Sequence, residues 1–157
     1  MKRLLGLSLM VVAATAAAQD RPVPYWASIK SGKALMRTGP ATTYPGTWLY
    51  MRRDLPIRVL KLHEDWRLIE DSEGTRGWMR RVLLSDTRTA LVAGSSPRPV
   101  HARPDESSRV RYMVEPGVVG RIDDCGGDGW CHITIGQREG HIRVGNLWGV
   151  APDEVVD

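Results

Sequence analysis

Arg37-Thr-Gly-Pro-Ala-Thr-Thr-Tyr-Pro45 is the stretch on which the reading of this chain turns. Nine residues of turn chemistry separate two runs able to pair as strands, Lys33–Met36 and Trp48–Met51. Gly39 permits a left-handed backbone, and Pro40 and Pro45 fix φ and remove two N–H donors. Such a segment folds as a long loop on the rim of a small β-barrel and displays its side chains. Arg37 and Tyr44 are the two residues in it with recognition chemistry.

The flanking chain keeps the same character. Tyr25–Ile29 reads as a strand, Arg52–Pro56 as a polar turn, and Ile57–His63 with Trp66–Asp71 as a hairpin joined by Glu64-Asp65. Thr75–Met79 follows, then a single 3₁₀ turn at Val82–Leu84, and Thr89–Val92 as the closing strand. No stretch carries 3.6-residue apolar periodicity over eleven positions, and short β-branched and aromatic runs broken by turn residues dominate. The fold class is all-β. Composition agrees: Phe is absent, Trp occurs six times, and 16 Gly and 10 Pro supply turns.

Beyond Ala93–Pro97, read as a linker, the order recurs. Val110–Val114 answers Trp48–Met51, Trp130 answers Trp66, and Gly140–Arg143 answers Gly77–Arg80, each 63 or 64 residues on. The chain is therefore a drifted tandem duplication. Its expected divisions are 1–18, 19–24, 25–92, 93–97, 98–150 and 151–157. They stand for a signal peptide, a leader, module one, a linker, module two and a tail.

The signal peptide rests on Met1-Lys2-Arg3, the apolar run Leu4–Ala14 and the cleavage tripeptide Ala16-Ala17-Ala18. The apolar run is too short to span a bilayer comfortably. A periplasmic or secreted location follows, with no stable membrane insertion once the signal is cleaved. Removing Lys2 and Arg3 takes 22 basic against 18 acidic residues to 20 against 18, a net charge of +2. That is no footprint of a nucleic-acid binder.

At this point the motifs match something known. Met36-Arg-Thr-Gly-Pro40 with Tyr44-Pro45, a hairpin ending in Trp66, and Gly77-Trp78-Met79 resemble the bacterial SH3-like (SH3b) domain. Tyr25–Ile29, Trp48–Pro56 and Leu147–Val150 resemble an exported tandem SH3-like family of alphaproteobacteria. The resemblance covers residues 25–150. It implies two tandem small SH3-like β-barrels of five to seven strands and a non-catalytic binding role without a cofactor. The implied ligand is peptidoglycan peptide or another cell-envelope polymer. The alternative is a protein–protein adaptor for an envelope enzyme or a membrane-protein ectodomain. Module two departs from the pattern, since Arg103-Pro104-Asp105 lacks the Gly-Pro and His141 replaces the late Trp.

Candidate ligand-binding residues are Arg37, Tyr44, Trp48, Tyr50 and Trp66, on or beside the long loop and the hairpin start. Tyr and Trp offer a wide apolar face with a polar handle, and Arg pairs bidentately with carboxylates. The alternatives are burial of these aromatics in a core without Phe, and use of Arg37 to brace its own loop. Trp78 and Met79 read as barrel wall or core, and Trp26 and Trp148, near the module ends, as seals of inter-module or terminal contacts.

Cys125 and Cys131 flank the tip of the second hairpin and are expected to form a disulfide in an oxidising compartment. Strict alternation places them on opposite faces, so a bulge near Asp123-Asp124 is required. A metal site using Cys125, Cys131 and His132 has the wrong spacing for known zinc frameworks. A Cys131–His132 dyad is excluded because neighbours on a strand point to opposite faces. No catalytic and no metal-binding residues are assigned.

Overall fold

A computed structural model describes residues 21–157. The expected signal peptide and the first two leader residues lie outside the described residues. The chain forms two antiparallel sheets, each wrapped around its own core, as the alternating apolar runs require.

The first sheet holds β1 (Tyr25–Ile29), β2 (Ala34–Arg37), β3 (Gly46–Tyr50), β4 (Pro56–His63), β5 (Trp66–Glu70), β6 (Arg76–Arg80) and β7 (Leu84–Ser85). Their spatial order is β3-β2-β6-β5-β4-β1-β7. Ile29, Met36, Ile57, Val59, Ile69 and Met79 fill its core. The second sheet holds β8 (Thr89–Val92), β9 (Arg98–His101), β10 (Val110–Val114), β11 (Val119–Gly126), β12 (Trp130–Ile135), β13 (Arg138–Arg143) and β14 (Leu147–Trp148). They run β10-β9-β13-β12-β11-β8-β14, and β15 (Val155–Val156) adds to β11.

The duplication extends to irregularities. The pairing of β2 with β3 skips Thr47, and the pairing of β9 with β10 skips Arg111, 64 residues on. The hairpin β4–β5 skips Leu60, and β11–β12 skips Asp123, 63 residues on. A bulge inherited from the same place bends the same strand in both copies. The second one turns Cys125 inward beside Cys131, and the two are disulfide-bonded and buried.

Thr89–Val92 corrects an expectation. It does not close the first sheet; it pairs with β11 and β14 in the second. Ala27 faces Ile57 in one copy and Ala90 faces Gly120 in the other, so β8 repeats β1. The first sheet is closed by β7, two residues following a 3₁₀ turn at Arg81–Leu83. A strand that short leaves no periodic trace. The segment 93–97 therefore connects two strands of one sheet, and the segment 151–157 contributes β15.

The two units touch along a seam. Trp26 and Trp148 meet edge to face, ring centroids 4.8 Å apart, as their expected role between modules requires. Ser28 Oγ donates to the Thr87 carbonyl at 2.8 Å, and Arg52 Nη1 donates to the Gly117 carbonyl at 3.1 Å. Gly149, with φ +121°, passes so close to Thr89 and Pro56 that a Cβ would lie 2.7 Å from the Thr89 oxygen and 3.0 Å from Pro56. No side chain fits there.

Candidate functional site

The loop after β2 is braced from within. Arg37 Nη1 donates to the Tyr44 carbonyl at 2.7 Å, the bracing role rather than an outward-reaching one. Gly39 is not in the left-handed region; a Cβ there would lie 2.5 Å from the Tyr44 ring. Its missing side chain is the seat of that ring. Tyr44 leaves its other face open, and the residue is 46% exposed.

The five predicted residues divide. Trp48, on the edge strand β3, is 55% exposed. Tyr50 is only 6% exposed, and its hydroxyl donates to Asp71 Oδ2 at 2.7 Å. Burial, then the hydrogen bond and charge of Asp71, push that hydroxyl well above the usual phenol range. Asp71 also accepts from the Glu73 and Thr75 N–H groups, so Tyr50 anchors the edge strand to a turn. Trp66 is 8% exposed and stands opposite His63 and Arg80 on its neighbouring strands. Tyr50 and Trp66 are thus buried, the alternative left open for them, and offer little surface to a ligand.

Trp78 takes their place. Between buried Gly77 and Met79, period-two alternation turns it outward. It pairs across strands with Arg37 and Leu68, and with Trp48 it walls a groove of about 350 Å³. Met36 and Gly77 lie along the groove, and Thr38, Thr47 and Arg76 supply polar groups. The alternation Arg76-Gly-Trp-Met-Arg80 was the signal for this orientation. Two indoles beside an open edge strand can hold an extended chain by stacking and main-chain pairing.

The second unit rebuilds this place with different chemistry. Its loop clamp is His101, whose Nδ1–H donates to the Ser108 carbonyl at 3.0 Å, where Arg37 holds Tyr44. A carbonyl only accepts, so this bond sets the tautomer. At the positions of Trp48, Leu68 and Trp78 stand Tyr112, His132 and His141. The two imidazoles are 5.2 Å apart, and His132 Nδ1 donates to Asp123 Oδ1 at 2.7 Å. Burial, then the neighbouring His132, lowers the pKa of His141. Both cysteine sulfurs are joined in the Cys125–Cys131 bond, so neither is a free thiolate.

Residues 30–86 match the Bacterial SH3 domain family, and residues 95–149 match it again. The chain belongs to the bacterial SH3 domain family. Its two SH3 units carry the paired sheets described above. Among solved structures, NlpC1 from Trichomonas vaginalis is similar at 13% identity and a TM-score of 0.35, covering 88% of this chain and 50% of that one. NlpC2 from the same organism is similar at 13% identity and a TM-score of 0.36, covering 80% and 48%. The chain thus spans about half the length of these structures. No curated protein matches it.

Proposed function

We propose that this tandem SH3 protein is a non-catalytic, exported binding protein that recognises peptide of the cell wall or a related envelope polymer through its first unit. The observation that carries the reading is the open groove between Trp48 and Trp78, with the edge strand β3 beside it and the Tyr44 loop above. The family is one of binding modules, and the disulfide fits an oxidising compartment. The signal peptide and the periplasmic or secreted location belong to this reading. The two units divide within Asp86–Arg88, as the strand pairings suggest.

A second reading, an adaptor for an envelope protein, has one observation in its favour. The edge strand is exposed along Gly46–Leu49, with Leu49 and Met51 as apolar side chains beside Trp48. A partner strand would extend the sheet there.

Retention on purified sacculi at low salt tests the first reading. The protein should be retained, and Trp48→Ala with Trp78→Ala should cut retention at least about tenfold while the melting temperature stays put. No retention of the wild type rejects the wall ligand and leaves the adaptor. Retention unchanged in the double variant rejects the groove.

A further inference from the structure

A second cavity, of about 620 Å³, opens where the two units meet. Its aromatic walls are Tyr25, Trp26 and Trp148, all only partly buried. Arg21 and Arg58 enter it from the first unit and Glu154 from the second.

The charges do not cancel locally. Arg58 lies on an outward row that runs Trp26, Arg58, Glu70, Arg76 across four strands. Glu70 is taken by Arg76 at 2.5 Å, and among the described residues Arg58 has no carboxylate partner. Its guanidinium instead lies over the Trp26 ring, 5.8 Å from the centroid. Arg21 lies over Tyr25 at 4.9 Å, stands 3.8 Å from exposed Asp86, and adds its charge to the field that lowers the Glu154 pKa. Glu154 is bound by both terminal nitrogens of Arg88 and by the Ala151 N–H. Burial raises its pKa, but those hydrogen bonds and the Arg88 charge outweigh burial and hold it low. The cavity thus has two guanidiniums over aromatic rings: Arg58, which has no carboxylate partner among the described residues, and Arg21, held only by an exposed pair with Asp86 and the more distant charge of Glu154.

We propose that this seam cavity is a binding site for the free carboxylate end of a short peptide, with Arg58 and Arg21 as its cationic clamp and Trp26 and Trp148 as its apolar seat. A planar guanidinium resting over an aromatic ring can present its fork to a carboxylate bidentately. The apolar flank of the terminal residues covers the open indole surface. The site is separate from the Trp48–Trp78 groove and does not depend on it.

The test uses the protein with ¹⁵N-labelled tryptophan, whose six indole N–H signals are assigned by single Trp→Phe variants. The probes are diacetyl-Lys-D-Ala-D-Ala and its all-L counterpart, each as free acid and as carboxamide. A free acid should shift the Trp26 and Trp148 signals saturably, and the carboxamide should bind at least about tenfold more weakly. Arg58→Gln should weaken the acid by a similar factor at unchanged melting temperature. Tighter binding of the D-peptide assigns a wall stem peptide as source, and tighter binding of the L-peptide a protein C-terminus. Equal affinity of acid and carboxamide, or no saturable shift at these two indoles up to millimolar probe, overturns the site.

Discussion

At the level of single residues, the same aromatic type serves opposite ends according to what covers it: Trp66 and Trp78 share one face of the sheet, yet only Trp66 is buried. Tyr50 holds the edge strand through one hydrogen bond to a carboxylate. Tyr50→Phe should cost about 1.5–3 kcal/mol in urea unfolding, since a bond to a charged group is lost. It should leave sacculus retention unchanged, in contrast to the Trp48 and Trp78 variants. His141, where the first unit has Trp78, brings a pH dependence. Its folded pKa is below the ordinary 6.5. The unfolded chain therefore takes up the proton first as pH falls, so His141 withdraws stability as pH drops through 6.5. His141→Phe should lose less stability than the wild type between pH 7.5 and 5.5, read from urea midpoints. An equal loss in both proteins would assign the slope elsewhere. Sequence alone left each aromatic open between groove and core. It could not separate Tyr44 and Trp48 from Tyr50 and Trp66, because Trp48 and Tyr50 share one phase of the edge strand and only tertiary cover buries the second. Trp78 was read with Met79 as barrel wall or core, although the alternation of Gly77, Trp78 and Met79 carries its outward phase.

Among the elements, the hairpin β11–β12 differs most from its counterpart. It keeps the bulge but adds a disulfide beside it, with β15 paired to Cys125 and Gly126. Closing so short a loop restricts the unfolded chain by about 2–2.5 kcal/mol in the chain-entropy description. Reduction with dithiothreitol should lower the denaturant midpoint of the second unit, followed through Trp130. The first unit, which contains no cysteine, should respond only through the seam. The need for a bulge at Asp123-Asp124 was readable from the cysteine phase. The strands Leu84–Ser85 and Val155–Val156 were not, because two residues carry no period; tertiary pairing alone makes them strands.

For the molecule as a whole, the seam joins units that are each near the lower size limit for a self-sufficient core. Glu154, paired with Arg88 beside it, has a lowered pKa. That pairing stabilises fully above the unfolded value of 4.5, and the contribution is lost as pH falls through the folded pKa. Arg88→Gln should therefore lower the melting temperature at pH 7 and show a smaller further drop between pH 5 and pH 3 than the wild type. A wild-type-like drop would show that the pairing does not govern acid stability. The duplication was legible from the spacing of Trp66 and Trp130, yet its phase was not. The repeat begins a strand earlier than the linker Ala93–Pro97 suggested, because a Gly- and Ser-rich turn within a sheet looks like a connection between sheets.

The connection that does exist, Asp86–Arg88, is three residues long and pinned by Ser28 and Glu154. So short a tether turns the pair of units into a caliper. A flexible linker would let two weak sites adapt to any spacing and share a broad effective concentration. Here the distance between the Trp48–Trp78 groove and the seam cavity is set by the fold. On the proposed reading, a polymer whose repeat fits that distance gains avidity from both sites, and one with a different repeat gains none. Selectivity would then lie in the spacing of the ligand as much as in the chemistry of either contact.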